Sequence, residues 1–342
     1  MTSKITVGVI GCGYWGPNLL RNFAENDDCA LRWICDLDQS RLDTLGRRYP
    51  AVQTTSDYKQ LLADPLLDAV AIVTPVWTHF SFASEALCSG KHVLVEKPLT
   101  ASVAEAEQLI EIAARNDRVL MVDHTFVYTG AVRKIKEIVA SGELGDLLYF
   151  DATRINLGLF QDDINVVWDL APHDFSIMDF MIDSSPETVS ATGSCHIKQG
   201  IENIAYVMLR FPNELIAHFH FNWLSPVKIR HTLIAGSSKM IVYDDIEPTE
   251  KVRVYDRGVT ATRSNGIDKE ATYKTLVSYR TGDVWVPKVD STEALHYVCV
   301  EFLAAIGEQR RPLTDGSAGL RVVRLLEAAQ RSMDQGGKPV RL

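Results

Sequence analysis

At 342 residues the chain exceeds the size at which one hydrophobic core keeps growing, so two domains are expected. Hydrophobic residues make up 46% and charged residues 23%, the balance of a globular enzyme and far from that of a disordered or membrane-embedded chain. The net charge of −9 excludes a general nucleic-acid binder, which needs a basic surface to neutralise phosphates, and means that an anionic ligand must be met by locally placed bases.

Over residues 1–125, strand-like and helix-like segments alternate. The strand candidates are ITVGVIG (5–11), LRWICD (31–36), AVAIVT (69–74), HVLVE (92–96) and RVLMVDH (118–124), with nearly continuous apolar runs, as expected where helices cover both faces of a sheet. This predicts an α/β fold whose N-terminal domain, 1–125, is a Rossmann-type doubly wound parallel sheet. After Tyr128 a helix (130–145) ends on glycines. Segments of period-two alternation follow, among them DLLYFDATRIN, IAYVMLRF and LIAHFHFNWL, before a helical tail. They predict a C-terminal α+β domain, 126–342, with a large, open, mostly antiparallel sheet. One face of that sheet should carry its helices. The other, with the IAHFHFNW alternation, is too aromatic to stay in water and should join subunits into a homodimer or homotetramer, which a sedimentation mass would test.

Six cysteines (Cys12, Cys29, Cys35, Cys88, Cys195, Cys299) lack any metal-ligand spacing, so neither a metal site nor a disulfide framework is expected. The start has no cleavable pattern, and no apolar segment reaches the about 18 residues of a membrane span. The expected location is cytoplasmic, with no membrane partner.

The first strand runs into VGVIGCGYWG, where Gly11, Gly13 and Gly16 form GxGxxG with Tyr14 and Trp15 inside the turn. Such glycines allow a tight turn, close approach of a pyrophosphate to backbone N–H groups, and close helix–strand packing. Asp36 ends the second strand, where a carboxylate can accept hydrogen bonds from an adenosine ribose and repel a 2′-phosphate. The expected cofactor is therefore NAD, although Arg41 nearby could meet a phosphate. Ligands of such sheets lie beyond the carboxyl ends of the strands, where Thr74 and His79 of TPVWTHF, Glu96 with Lys97, and Asp123 with His124 occur. The cofactor candidates are thus Gly11, Gly13, Tyr14, Trp15, Gly16, Asp36, Arg41, Thr74, His79, Glu96 and Lys97, and Lys97 is a candidate proton carrier. In NVVWDLAPHDF a helix from about Leu170 would put Asp169 and His173 one turn apart, where a carboxylate can orient an imidazole base. His124, Arg154, Asn156, Lys228 and Arg230 are the substrate-binding candidates, the three cations to hold a diphosphate.

GCGYWG, TPVWTHF, the EKP of Glu96–Pro98, DHTFVY, GELGDL and the Asp169-to-His173 spacing occur in the order of the Gfo/Idh/MocA family, which the whole chain resembles. The resemblance implies that Lys97 contacts cofactor and substrate hydroxyl, that His173 with Asp169 is the acid/base, and that the Lys97–Pro98 peptide is cis. GYWGPN and WDLAPHD look most like the branch of nucleotide-sugar 3-dehydrogenases and sugar ketoreductases, although NVVWDLAP lacks the glycines many relatives carry before the aspartate. The resemblance therefore implies an NAD-dependent oxidoreductase acting on a sugar or nucleotide-sugar, such as UDP-N-acetylglucosamine or its uronic acid. The alternatives are a free-polyol dehydrogenase of the inositol type and a catalytically silent NAD-binding sensor. Retention of Lys97, Asp169 and His173 speaks against the sensor.

Overall fold

The computed structural model describes residues 4–158, 160, 163–261 and 277–342. Two compact units emerge, Met1–Thr129 with Thr292–Glu327, and Gly130–Ser291 with Ala328–Leu342.

In the first unit β1 (Ile5–Ile10), α1 (Gly16–Ala24), β2 (Cys29–Cys35), α2 (Gln39–Arg48), β3 (Gln53–Thr55), α3 (Tyr58–Leu62), β4 (Ala69–Ile72), α4 (Val76–Cys88), β5 (His92–Glu96), α5 (Val103–Arg115) and β6 (Leu120–Asp123) follow one another. All six strands are parallel, in the order β3-β2-β1-β4-β5-β6. The strand order reverses between β1 and β4, so the loops after these two strands border the crevice where such sheets bind ligands. The central strands are buried on both faces, β4 throughout its length, which is why their sequences read as unbroken apolar runs. β3 is short and half exposed, so it carries no comparable pattern in the sequence.

The second unit contains α6 (Gly130–Ala140), β7 (Leu147–Leu157), α7 (Val166–Met181), β8 (Thr188–Ser194), β9 (Ile204–Arg210), β10 (Ile216–Asn222), β11 (Leu224–Gly236), β12 (Met240–Asp244) and β13 (Val252–Tyr255). A separate hairpin pairs β14 (Gly258–Ala261) with β15 (Val277–Arg280), and β16 (Val284–Trp285) follows. The helices α8 (Ala294–Gly307) and α9 (Gly316–Asp334) precede the last strand, β17 (Val340–Arg341). The nine-stranded sheet runs β16-β13-β12-β11-β7-β10-β9-β8-β17 and is antiparallel except where β10 lies parallel to β7. Its inner face packs on α7 through aromatic edges: Phe175 stands T-shaped to Phe219 at 4.9 Å and to Phe221 at 6.1 Å. The alternate residues of β10 lie on the other face. There Tyr206 stacks on His220 at 4.4 Å and on His218 at 6.1 Å.

The units differ from the expected boundary in the tail. Counting 126–342 as one domain assigns all the terminal helices to the second sheet, whereas α8 and most of α9 belong to the first unit. The buried face of α8, with Leu295, Val298, Phe302 and Leu303, packs near α1, where Phe23 meets Phe302 edge-on and Arg21 donates to Glu293 at 2.7 Å. The Val122 N–H donates to the Thr314 carbonyl at 2.8 Å, and Gly319 lies so close to Val122 and Leu99 that a Cβ would come within 3 Å of both. Amphipathic periodicity specifies that a helix buries one face without specifying which sheet it covers.

Candidate active site

The turn after β1 is built for close approach. Gly11 has φ +96°, and a Cβ there would stand 2.5 Å from the Val73 carbonyl oxygen; at Gly16 it would stand 2.3 Å from that of Gly11. These two glycines are required by the protein's own packing. Gly13 differs, because a Cβ there would meet nothing within 4 Å. Its lack of a side chain leaves backbone open from outside, as a pyrophosphate needs. The first turn of α1 has neither an acidic residue nor a side-chain cap from Trp15, which leaves its N–H groups suited to an anion. Tyr14 and Trp15 are exposed and meet edge to face at 5.7 Å.

A cleft of about 580 Å3 opens beside this turn, lined by Gly11, Gly13, Asp36, Arg41 and Thr74, together with residues that motif reading missed. The latter include Leu37, Tyr58, Trp77 and Phe82. Tyr58 and Phe82 pair at 4.5 Å, while Leu37, 91% exposed, lies next to the Asp36 carboxylate. An unpaired apolar residue directly after Asp36 was the available signal in the sequence. Asp36 Oδ2 accepts from the Cys12 N–H at 2.6 Å and Oδ1 from the Asp38 N–H at 2.8 Å, which fixes the carboxylate and leaves lone pairs for hydroxyl donors. Arg41 approaches Asp36 at 3.6 Å and Asp38 at 3.4 Å, so its charge is directed to these carboxylates. The residues present therefore fit a dinucleotide, with the phosphates at the Gly13 backbone and the ribose diol at Asp36.

Two residues of the expected rim are placed otherwise. His79 is fully buried, with Nε2 2.8 Å from the Thr74 carbonyl and Nδ1 2.9 Å from that of Pro98, so it braces the loops and does not line the cleft. His124 is 1% exposed, with neither ring nitrogen hydrogen-bonded. Burial, assisted by Lys97 and Arg321, pushes its pKa down to about 3, so it stays neutral at physiological pH and is unsuited to contact with a solvent-delivered substrate in this conformation. Asp123 beside it is pushed up to about 6 by burial, against the hydrogen bond from Thr125 Oγ1 at 2.7 Å and the charge of Lys97.

Lys97 follows directly on β5 and is half-buried, and the Lys97–Pro98 peptide is cis. The Glu96 carboxylate accepts the Lys97 backbone N–H. β5 pairs with β6 so that Glu96 lies opposite Asp123, which accounts for the electrostatic link between Lys97 and Asp123.

In the second unit α7 starts at Val166, a turn earlier than expected, because Asn165 caps it by accepting from the N–H groups of Val167 and Trp168 at 3.1 Å each. Asp169 and His173 share a face of this helix by their four-residue spacing. Asp169 Oδ2 accepts from the Trp223 indole N–H at 3.1 Å. Trp223 is almost fully buried, and its role was hidden because FHFNWL reads as an apolar strand end.

Two of the three proposed cations are cross-strand neighbours, Arg154 on β7 opposite Arg230 on β11, but each is matched by a carboxylate. Arg154, 3% exposed, donates through Nε and Nη2 to the two oxygens of Asp174 at 2.8 and 2.9 Å, and is thereby a buried ion pair rather than a ligand at a strand end. Arg230 donates to Asp245 at 3.1 Å. Lys228 is exposed and Asn156 half-buried. Among the described residues no group of acidic, His and Cys side chains could hold a metal, and no helix is long and apolar enough to cross a membrane.

Residues 5–124 match the description "Oxidoreductase family, NAD-binding Rossmann fold" and residues 132–242 match "GFO/IDH/MocA C-terminal domain". The chain is 27% identical to UDP-N-acetylglucosamine 3-dehydrogenase of Acidithiobacillus ferrooxidans over 92% of this chain and 93% of that enzyme. A solved structure of that enzyme superimposes with a TM-score of 0.82, at 23% identity over 97% and 98% of the two chains. Myo-inositol 2-dehydrogenase of Thermotoga maritima is 25% identical over 75% of this chain and 80% of its own. Levoglucosan dehydrogenase, solved with NADH and levoglucosan, shares the fold at a TM-score of 0.83 and 20% identity, covering 99% of each chain. Because the two family matches together span most of the chain, the chain belongs to the Gfo/Idh/MocA family and is an oxidoreductase with an NAD-binding Rossmann domain.

Proposed function

We propose that the protein is an NAD-dependent dehydrogenase of a sugar ring CH–OH group, acting at C3 of a nucleotide-linked sugar such as UDP-N-acetylglucosamine or its uronic acid. The observation that carries the chemistry is the Asp169–His173 pair on α7, with the carboxylate held by the Trp223 indole. Bound NAD would supply the hydride acceptor at nicotinamide C4. His173 takes the hydroxyl proton as general base, and Asp169 sets the tautomer and orientation of the imidazole. Lys97, in the unit that carries the cofactor cleft, is suited to donate a hydrogen bond to a substrate oxygen and to stabilise negative charge there.

The sugar-nucleotide reading draws support from the similarity to UDP-N-acetylglucosamine 3-dehydrogenase. A second reading, a free-polyol dehydrogenase, is favoured by a specific observation: the charges of Arg154 and Arg230 are matched by Asp174 and Asp245, so neither offers an uncompensated cation for a diphosphate. The test is NADH formation from UDP-N-acetylglucosamine, the free sugar and myo-inositol at equal concentration. Fastest turnover of the UDP-linked compound is expected; faster turnover of the unlinked compounds would transfer the assignment to the polyol reading.

The cofactor preference is open to a separate measurement. Asp36→Ala should weaken NAD binding by roughly tenfold or more, since hydrogen bonds to a charged group are worth about 1.5–3 kcal/mol. It should also narrow the gap to NADP, because Arg41 is then released from Asp36. Tighter NADP than NAD binding by the unaltered protein would contradict the role of Asp36.

A further inference from the structure

His79 sits on α4 with no exposed surface and touches two backbone carbonyls, one with each ring nitrogen: Thr74 at 2.8 Å through Nε2 and Pro98 at 2.9 Å through Nδ1. A neutral imidazole has one N–H and one lone pair, and a carbonyl oxygen only accepts. A neutral ring would therefore satisfy one carbonyl and set its lone pair against the oxygen of the other at under 3 Å. The ring protonated on both nitrogens satisfies both, with charge-assisted bonds. Burial, the larger influence, and the charge of Lys97 hold its pKa below the ordinary histidine value, while the backbone groups of Pro98, Thr74 and Leu99 favour the charged ring. Against that direction stand the two short, opposed carbonyl contacts, which only a ring protonated on both nitrogens satisfies together.

These carbonyls belong to the two loops that matter most in the first unit. Thr74 lines the dinucleotide cleft, and Thr74 Oγ1 is hydrogen-bonded to Thr78 Oγ1 at 2.6 Å on the same turn. Pro98 follows Lys97 directly. We propose that His79 is a positioning residue which, as a doubly protonated imidazolium, ties the Thr74 loop to the Lys97–Pro98 turn and so sets Lys97 against the bound dinucleotide. The catalytic consequence rests on the role of Lys97 given above; the protonation state and the tie between the loops do not.

The direct test is ring 15N NMR of the protein labelled in histidine, at pH 7 without substrate, with the His79 signals assigned by their absence from H79Q and H79N. Both nitrogens are expected at protonated-imidazolium shifts; one protonated and one lone-pair nitrogen would overturn the proposal. In H79Q, donors remain at one end of the side chain only. NAD affinity should fall, and turnover per folded molecule should drop roughly tenfold to a hundredfold with an altered pH profile, the cost of a displacement on the order of 1 Å at a catalytic group. A lowered melting temperature with unchanged NAD affinity, turnover and pH profile would reduce His79 to a packing residue and overturn it equally. Because the NMR and NAD-binding readouts need no substrate, a failure of the dehydrogenase assignment remains distinguishable from a failure of this one.

Discussion

Replacing Lys97 or His173 with alanine is expected to slow turnover by roughly two to four orders of magnitude, the range for a positioned acid or base and its electrostatic partner, with the fold retained. Both side chains are half-buried, so truncation opens little core. Their effects should divide differently between kinetic constants. Lys97 lies at the mouth of β5, in the same unit as the cofactor cleft, so its loss should weaken substrate binding as well as slow the chemical step. As the proposed base, His173 would act on the proton, so its loss should appear mainly in the rate at saturating substrate and in the pH dependence. Near-normal saturated turnover by either variant, measured as NADH formation, would remove that residue from the mechanism. The buried His124, its pKa pushed down to about 3 by burial, is a poor proton acceptor in these surroundings.

The second large effect concerns stability. Asp174→Ala should destabilise the second unit by about 3–5 kcal/mol, because it leaves the buried Arg154 guanidinium without its bidentate partner. For a unit of this size that corresponds to a fall in melting temperature of roughly 10 °C. Replacing both residues with apolar side chains of similar volume should recover most of the loss, since the cost arises from the uncompensated charge rather than from the missing attraction. A D174A melting curve that overlays the wild type would show that the pair is dispensable. Asp174 directly follows His173 on α7, so a stable variant would also reveal how far the ion pair fixes the helix that presents the imidazole.

Local features are legible in the order of the residues. Unbroken apolar runs over 69–72 and 93–95 announce strands covered on both faces, and GxGxxG at the end of β1 with an aspartate at the end of β2 places a dinucleotide turn, because backbone sterics and strand direction fix where those residues must lie. The Asp169–His173 relation follows from helix periodicity alone. Whatever depends on partners far along the chain becomes visible only in the folded protein. Arg154 reads as a substrate cation until Asp174 is seen to hold it, and Arg230 until Asp245 does. His79 looks like a rim residue until its two carbonyls, one of them 19 residues away, enclose it, and Trp223 looks like core until its indole reaches Asp169 across 54 residues. The tail helices likewise read as amphipathic whichever sheet they cover. A polar side chain's role is set by the groups that replace water around it, and those groups are chosen by packing in three dimensions, which spacing along a chain does not encode.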